Sequence, residues 1–187
     1  PLSLDFYNRI SALIVNPVVP VRLHERREGY EANSEDSTLY GLETRLEGDR
    51  EEVVAEGFPS DLIFNVEGQK FIGKIYAFNK YSKKNNTKVN PKKYANGVLF
   101  TINGQCNGDL PPRFFSQEGM KYDNISNNLL VIIDCSNVEP EYIEEIFQNN
   151  RERIFNKRFT KRIREEIANE LRQHPKIKKF QNEWRSA

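Results

Sequence analysis

The feature that most restricts the fold is a run of five apolar residues, Leu129–Ile133. Successive side chains of a strand point to opposite faces of a sheet, so a run without polar alternation is apolar on both faces. Such a strand belongs at the centre of a sheet that is covered on both sides. The sequence therefore predicts a sheet around residues 129–133 and further elements that cover it.

Several other segments have strand character. The segments 62–66 and 71–78 flank the four residues Glu67–Lys70, which predict a hairpin turn. The segment 97–105 predicts a strand that ends in an Asn-Gly turn. Residues 18–24 alternate between apolar and polar side chains, whereas 39–46 and 51–55 are weaker strand candidates.

The last third of the chain is predicted to be helical. Phe159, Ile163, Ile167 and Leu171 follow each other at steps of four, which places them on one face of a helix over residues 159–173. His174-Pro175 is expected to end it. A shorter helix is expected around Pro140 with Ser136 or Asn137 as its cap, residues 111–115 predict a short helix, and a terminal helix is expected around residues 177–184.

These elements predict an α+β fold, with a mixed or antiparallel sheet, helices on one face and a helical C-terminal segment. We expect an α+β domain over residues 1–155 and a helical segment over 156–187. The chain has 187 residues, of which 37% are hydrophobic and include twelve Phe and eight Tyr, so wholesale disorder is excluded. No apolar window is long enough for a transmembrane helix.

The two cysteines, Cys106 and Cys135, lack metal-ligand spacing, so we expect no zinc site. Cys135 ends an apolar run and is predicted to be a buried thiol. A chain with so few cysteines fits the reducing cytoplasm.

Charge is distributed unevenly although the formal net charge is only +1. Residues 25–67 carry thirteen acidic and four basic residues, whereas residues 151–187 carry twelve basic and five acidic ones. Residues 79–93 contain six lysines and no acidic residue: Lys80, Lys83, Lys84, Lys88, Lys92 and Lys93. This pattern predicts a charge-complementary interface or an anionic ligand, or it is an ordinary solvated surface.

Catalytic motifs are mostly absent. The chain has no GxSxG, P-loop, GxGxxG or HExxH pattern. Asp61, Glu67 and Lys70 loosely suggest a metal-dependent nuclease, in which a hairpin holds two acids and a lysine around a divalent cation. Lys70 is one residue too far from Glu67 for both to lie on one face of a strand, so a hairpin turn is the better interpretation.

Residues 97–172 resemble a known type of domain. The segments LFTINGQ at 99–105 and LLVIIDCSNVEP at 129–140, followed by a polar Asn-Arg step at 150–151 and a basic amphipathic helix, carry the resemblance. They are similar to the middle domain of the ninety-kilodalton heat-shock chaperones and to the transducer domains of the MutL, gyrase B and MORC proteins. All of these belong to the GHKL ATPases, so the resemblance implies a ribosomal-protein-like transducer fold.

The resemblance also implies roles for particular residues. Arg151 matches the arginine that reaches the γ-phosphate of ATP held by the preceding domain, with Asn150 where the chaperones have serine. Arg153 replaces a methionine of that pattern and is the alternative phosphate-contacting residue. A transducer-loop lysine also contacts this phosphate in gyrase-type and MutL-type members, and the lysines of residues 79–93 are the candidates, with none singled out.

One departure from the family limits what this chain does alone. The chain lacks the glycine-rich DxGxG motif of the nucleotide-binding domain. It therefore also lacks the family's arrangement of an asparagine-bearing helix followed by that motif. We therefore expect that this chain is part of a longer protein, the full-length parent, and that ATP and Mg²⁺ bind to that parent and not to this chain alone. The implied partners are an N-terminal ATPase domain joined through residues 1–16, a second copy of the parent, and DNA or a protein client.

A second interpretation is a nucleic-acid-binding module. It would use the lysines of residues 79–93 and the basic C-terminal helices to contact phosphates. Tyr81 and Tyr94, beside those lysines, would stack on bases.

Overall fold

The computed structural model of this protein describes residues 10, 13–17, 19, 21–23, 37–147 and 158–186. Two short strands, β1 (Val21–Leu23) and β2 (Ser37–Leu39), form an antiparallel pair. The remaining strands are β3 (Ser60–Val66), β4 (Gln69–Ala77), β5 (Gly97–Ile102), β6 (Gln105–Leu110) and β7 (Leu129–Asp134). The helices are α1 (Leu42–Gly48), α2 (Arg50–Val53), α3 (Pro140–Ile146), α4 (Arg158–Gln173) and α5 (Pro175–Ser186).

Strands β3 to β7 form one mixed sheet in the order β3-β4-β7-β5-β6. Strand β7 is antiparallel to β4 and parallel to β5, whereas the other neighbours are antiparallel. The five apolar residues 129–133 are all buried in the middle strand of this sheet. The predicted α+β class and the central position of this strand are thereby confirmed.

Helix α4 packs on one face of the sheet through aromatic side chains. Phe64 of β3 and Phe71 of β4 stack with their ring centroids 5.0 Å apart, and the ring of Phe71 lies 6.4 Å from that of Phe159 of α4. The four predicted stripe residues of α4 are buried. Helix α5 adds Phe180, whose ring meets that of Phe58 edge-on at 6.1 Å.

Helix α1 and residues 13–17 lie over part of the opposite face. The Leu42 N–H donates to the Ile14 carbonyl at 2.9 Å, and the Val15 N–H donates to the Gly104 carbonyl at 2.9 Å. Glu43 of α1 lies 3.4 Å from the ammonium of Lys74, whose side chain points away from α4. This face is therefore covered near β5 and β7.

The weak strand predictions for residues 39–46 and 51–55 are wrong over most of their length. Only Leu39 lies in a strand, and the segments fold instead as α1 and α2. Leu42 and Leu46 are one helical turn apart and are both fully buried. A helix places both side chains on one face, whereas a strand would also place a polar side chain from between them on that face.

Two local predictions also need correction. The turn between β3 and β4 consists of two residues, Glu67 and Gly68, with φ of 50° and 83°, because strand pairing extends to Val66 and Gln69. Ser136 does not cap α3, since its hydroxyl donates to the Asp134 carboxylate and accepts the Asn103 N–H, and the helix begins at Pro140.

Three further helical predictions are confirmed, with slightly shifted bounds. Residues 112–116 form a short 3-10 helix, α4 ends at Gln173, and α5 begins directly after His174. The expected linker over residues 1–16 lies mostly outside the described residues, and the division at 155/156 stays a prediction. Among the described helices, none combines the length and apolarity that crossing a membrane requires.

Candidate functional site

The lysine-rich loop, residues 79–96, connects β4 to β5 and has its own hydrogen bonds. The Ser82 N–H donates to the Thr87 carbonyl at 2.8 Å, and Tyr81 forms an isolated bridge with Lys88. Near its end, the Asn90 side chain accepts the Lys92 N–H at 3.2 Å and starts a 3-10 turn over Pro91–Lys93. The lysine-rich loop therefore contains regular structure of its own.

Helix α2 holds the first half of the lysine-rich loop. The Ser82 hydroxyl donates to the Glu52 carboxylate at 2.7 Å, and the Lys83 N–H donates to the Glu52 carbonyl at 3.1 Å. The Asn79 N–H reaches the Val53 carbonyl at 2.9 Å. Glu52 therefore binds the loop through both its side chain and its backbone.

The second half of the loop is held at Tyr94. The Tyr94 hydroxyl donates to Asp49 at 2.7 Å, and its ring stacks on Phe78 with centroids 5.5 Å apart. The guanidinium of Arg45 lies 5.4 Å from the same ring and donates to the Lys93 carbonyl at 2.7 Å. Burial first, and then the hydrogen bond to Asp49, raise the pKa of Tyr94, so this phenol stays protonated.

The six lysines project from this held backbone. Lys80 is partly exposed, and Lys83, Lys84, Lys88, Lys92 and Lys93 are exposed. Within the part of the chain that the structure describes, no ion pair uses any of them. Unpaired ammonium groups on a fixed loop can bind phosphate oxygens without first breaking an internal ion pair.

The two tyrosines of this loop differ in what they can contact. Tyr81 is 48% exposed, with the Lys80 ammonium 5.9 Å from its ring centroid. Tyr94 is only 8% exposed and is occupied by Phe78 and Asp49. The predicted base-stacking role of Tyr94 is therefore wrong, because its ring is part of the loop's anchor.

The predicted phosphate-contacting residues of the C-terminal third belong to a segment without described coordinates. Asn150, Arg151 and Arg153 lie outside the described residues. Their role as phosphate-contacting residues stays a prediction.

The residues of the nuclease interpretation have other roles. Glu67 sits in the β3–β4 turn and accepts a hydrogen bond from Arg162 of α4. Asp61 is opposite Lys74, and Lys70 is opposite Asn65 across the hairpin. Among the described residues, no three His, Cys, Asp or Glu side chains come close enough together to hold a metal ion.

The thiols are not activated. Cys135 is fully buried, as predicted, and burial raises its pKa. Cys106 is half-buried, and burial also raises its pKa. Because the thiolate is the reactive form, neither cysteine fits a nucleophile.

Sequence reasoning missed the residues that hold the loop. Arg45 and Glu52 lie in segments that resemble weak strands, Asp49 lies between these segments, and the partners of all three are 30 to 48 positions away in sequence. The four-residue spacing of Leu42 and Leu46 is a local signal for Arg45, because it places this residue off the buried face of a helix, but it gives no signal for Asp49 or Glu52.

Comparisons with known proteins place few limits on the class. No family model matches the chain, and no curated protein matches it. Among solved structures, the chain is similar to the B subunit of DNA gyrase from Myxococcus xanthus, with 12% identity and a TM-score of 0.40. The match covers 90% of this chain and 48% of the gyrase chain, so this chain spans about half of that protein's length. A TM-score this low supports no functional inference. The class that the fold and site define is an α+β domain with an anchored cationic loop.

Proposed function

We propose that this chain is the transducer domain of a GHKL-type ATPase. It would couple ATP binding and hydrolysis, in a separate nucleotide-binding domain of the same protein, to movement on a DNA or protein client. The observation that carries the proposal is the lysine-rich loop, which leads into strand β5 and whose ammonium groups form no ion pair with any described residue.

The placement of the resembling segments supports the proposal. Residues 99–105 and 129–140 include β5 and β7, which are parallel neighbours in the centre of the sheet. The loop enters β5 directly, so a force on a lysine would be transmitted to the best-packed part of the fold. A rigid connection of this kind suits a domain that converts ligand contact into movement.

The chemistry assigned to the basic residues is charge stabilisation. A loop lysine would add a point charge to a terminal phosphate, and Arg151 would add a planar guanidinium that can donate two parallel hydrogen bonds to it. Both groups would arrive from outside the nucleotide-binding domain. They would therefore act mainly in the closed state, where charge develops on the phosphate oxygens.

The test is Arg151→Ala in the full-length parent. Loss of an interaction made only in the reacting state lowers turnover and leaves ATP binding nearly unchanged. Supplied arginines are worth about a thousandfold or more in other phosphoryl-transfer enzymes. We expect roughly tenfold to a hundredfold in ATP turnover here, because Arg153 is close in sequence and would partly substitute.

Arg172→Ala is the matched control. Arg172 is an exposed arginine of α4 that donates to the side chain of Asn169, and its loss should leave turnover unchanged. Equal, small effects at Arg151 and Arg172 would contradict the assigned role. Hydrolysis of ATP by the isolated chain, above a no-protein control, would contradict the transducer proposal itself.

A second candidate function is nucleic-acid binding by the same loop. The observation that favours it is the exposed ring of Tyr81 among the lysines, because aromatic rings next to cations stack on bases. Binding to a defined DNA duplex that persists at physiological salt would favour this candidate over the transducer.

A further inference from the structure

Half of one sheet face is apolar and is not covered by any of the residues that the structure describes. Ile63 of β3 and Ile72 of β4 are directly opposite each other and are 55% and 43% exposed. On the same face further into the sheet, Ile132 and Leu99 are buried beneath the cover that includes α1 and residues 13–17. The cover therefore stops at β4 and leaves a paired apolar patch, which is the kind of surface that marks interaction sites.

A groove runs from this patch towards residues 13–17. Its floor is formed by Ile72 and Ile132, Val15 lies in its wall, and its volume is about 250 Å³. Pockets for drug-sized ligands and cofactors usually have about 300–1,000 Å³. A groove of this size instead suits one long side chain presented by a larger molecule.

The charges around the groove indicate what that side chain is. The walls carry three carboxylates and one ammonium: Glu43, Asp61, Asp134 and Lys74. Lys74 is engaged by Glu43 at 3.4 Å, and the side-chain carboxylate of Asp61 makes no hydrogen bond or ion pair with any described residue. The groove therefore has excess negative charge next to an apolar floor. A lysine or arginine matches both, because its methylene stem covers apolar surface while its cationic head reaches a carboxylate.

We propose that this open half-face binds an extended, cationic segment of another protein. One arginine or lysine of the segment enters the groove over Ile72 and pairs with Asp61, and an apolar residue two positions away, on the same side of the extended segment, packs on Ile63. This interaction is separate from the lysine-rich loop, whose charge is of the opposite sign. It holds whether or not the chain serves as a transducer.

The experiment uses a labelled six-residue peptide, Val-Ser-Arg-Ser-Val-Ser, whose valines and arginine lie on the same side when it is extended, and measures its binding to this chain by fluorescence anisotropy. Two matched peptides replace arginine by glutamate or valine by serine. We expect the valine-arginine peptide to bind at least about tenfold more tightly than either, because each lacks one of the two complementary interactions. Asp61→Lys and Ile72→Ser should each weaken binding by about the same factor.

Glu56→Lys is the control, since it reverses an exposed charge outside the groove. Its binding should change by less than about twofold. Unchanged binding in a folded Asp61→Lys variant, or equal loss in Glu56→Lys, would overturn the proposal, because the peptide would then sense only general acidity. Self-association that blocks the peptide and is abolished by Ile72→Ser would also overturn it in favour of a second copy as the occupant.

Discussion

The lysine-rich loop and the C-terminal helices are both basic, but they use their charges differently. In α4 and α5, Lys161 lies 3.8 Å from Glu165 and Lys179 lies 3.7 Å from Glu183, one helical turn on. Arg162 of α4 also pairs with Glu67 in the β3–β4 turn. The loop lysines have no such partners among the described residues. Some basic side chains of the helices are therefore neutralised by ion pairs, whereas within the described residues those of the loop are not.

The difference follows from local geometry. A helix brings residues four positions apart together, so an acidic residue at that spacing neutralises a lysine at little cost. The loop contains no acidic residue, and its acidic neighbours Asp49 and Glu52 are used as hydrogen-bond acceptors by Tyr94 and Ser82. The nearest carboxylates thus fix the loop's shape and leave its lysines available to a ligand.

The largest expected effect is on polyanion binding. Lys83→Glu, Lys84→Glu and Lys88→Glu combined should weaken binding to a twenty-base-pair DNA duplex by roughly tenfold or more at low salt, since each phosphate that a lysine neutralises releases counterions. The slope of log affinity against log salt should become shallower by about 0.9 for each phosphate that is no longer neutralised. The chain without substitutions should itself bind the duplex only weakly, without sequence preference, and with a steep salt dependence.

The matched variant places the same charge change on the helices. Lys161→Glu, Arg162→Glu and Lys179→Glu combined should have a smaller effect on duplex binding, because all three residues are already paired, with Glu165, Glu67 and Glu183 respectively. An equal loss in both triple variants would break the comparison. It would show that DNA senses only the net charge of the chain.

A smaller effect is expected from releasing the loop. Glu52→Ala leaves the partly buried Ser82 hydroxyl without its acceptor, which should cost about 1 kcal/mol in the free energy of unfolding. Amide hydrogen exchange should also become faster at Ser82 and Asn86, whose N–H groups lie inside the loop.

Glu51→Ala is the appropriate comparison, because Glu51 is the exposed neighbour of Glu52 on α2. The amide hydrogen exchange rates of this variant should match those of the chain without substitutions. Unchanged protection of the loop amides in Glu52→Ala would mean that the Tyr94 anchor alone fixes the loop. The hydrogen bonds of Glu52 would then not explain why the loop backbone is held in place while its lysine side chains are exposed.

The sequence predicts the parts of the fold that repeat a pattern over many residues. The unbroken apolar run of β7 and the four-step stripe of α4 each state a burial pattern directly, and both are confirmed. Helices α1 and α2 are too short for such a pattern, with seven and four residues, and their character is decided by the core that Leu42 and Leu46 enter.

The sequence predicts where the candidate site lies but not which contacts hold it in place. Six lysines without an acid mark residues 79–93 at once, because composition alone reveals an uncompensated charge. The pairing of Tyr94 with Asp49 joins residues 45 positions apart, and it depends on where β4 ends relative to α1. Pairings of this range follow from the tertiary fold, which is why Tyr94 resembled an exposed, base-stacking residue in sequence.

The smallest expected effect concerns a histidine in the helical region. Burial first, and then the charge of Lys176, lower the pKa of His174 below its ordinary value of 6.5. Its Nδ1 is buried and has no hydrogen-bond partner among the described residues. Below pH 6.5 the unfolded chain therefore binds more protons at this site than the folded chain does. The contribution of His174 to stability is present above pH 6.5 and is lost as the pH falls through the lowered pKa.

His174→Gln should therefore make the loss of unfolding free energy below pH 6.5 shallower, measured by urea denaturation at a series of pH values. Lys176→Ala should move the pKa of His174 part of the way back towards 6.5, as followed by NMR titration, because burial is the larger cause and remains. A titration unchanged by Lys176→Ala would mean that solvent screens the charge of Lys176 and that burial alone lowers the pKa of His174. The contrast between the two basic regions would then be sharper, because this lysine of the helices would have no measurable electrostatic effect on the neighbouring histidine.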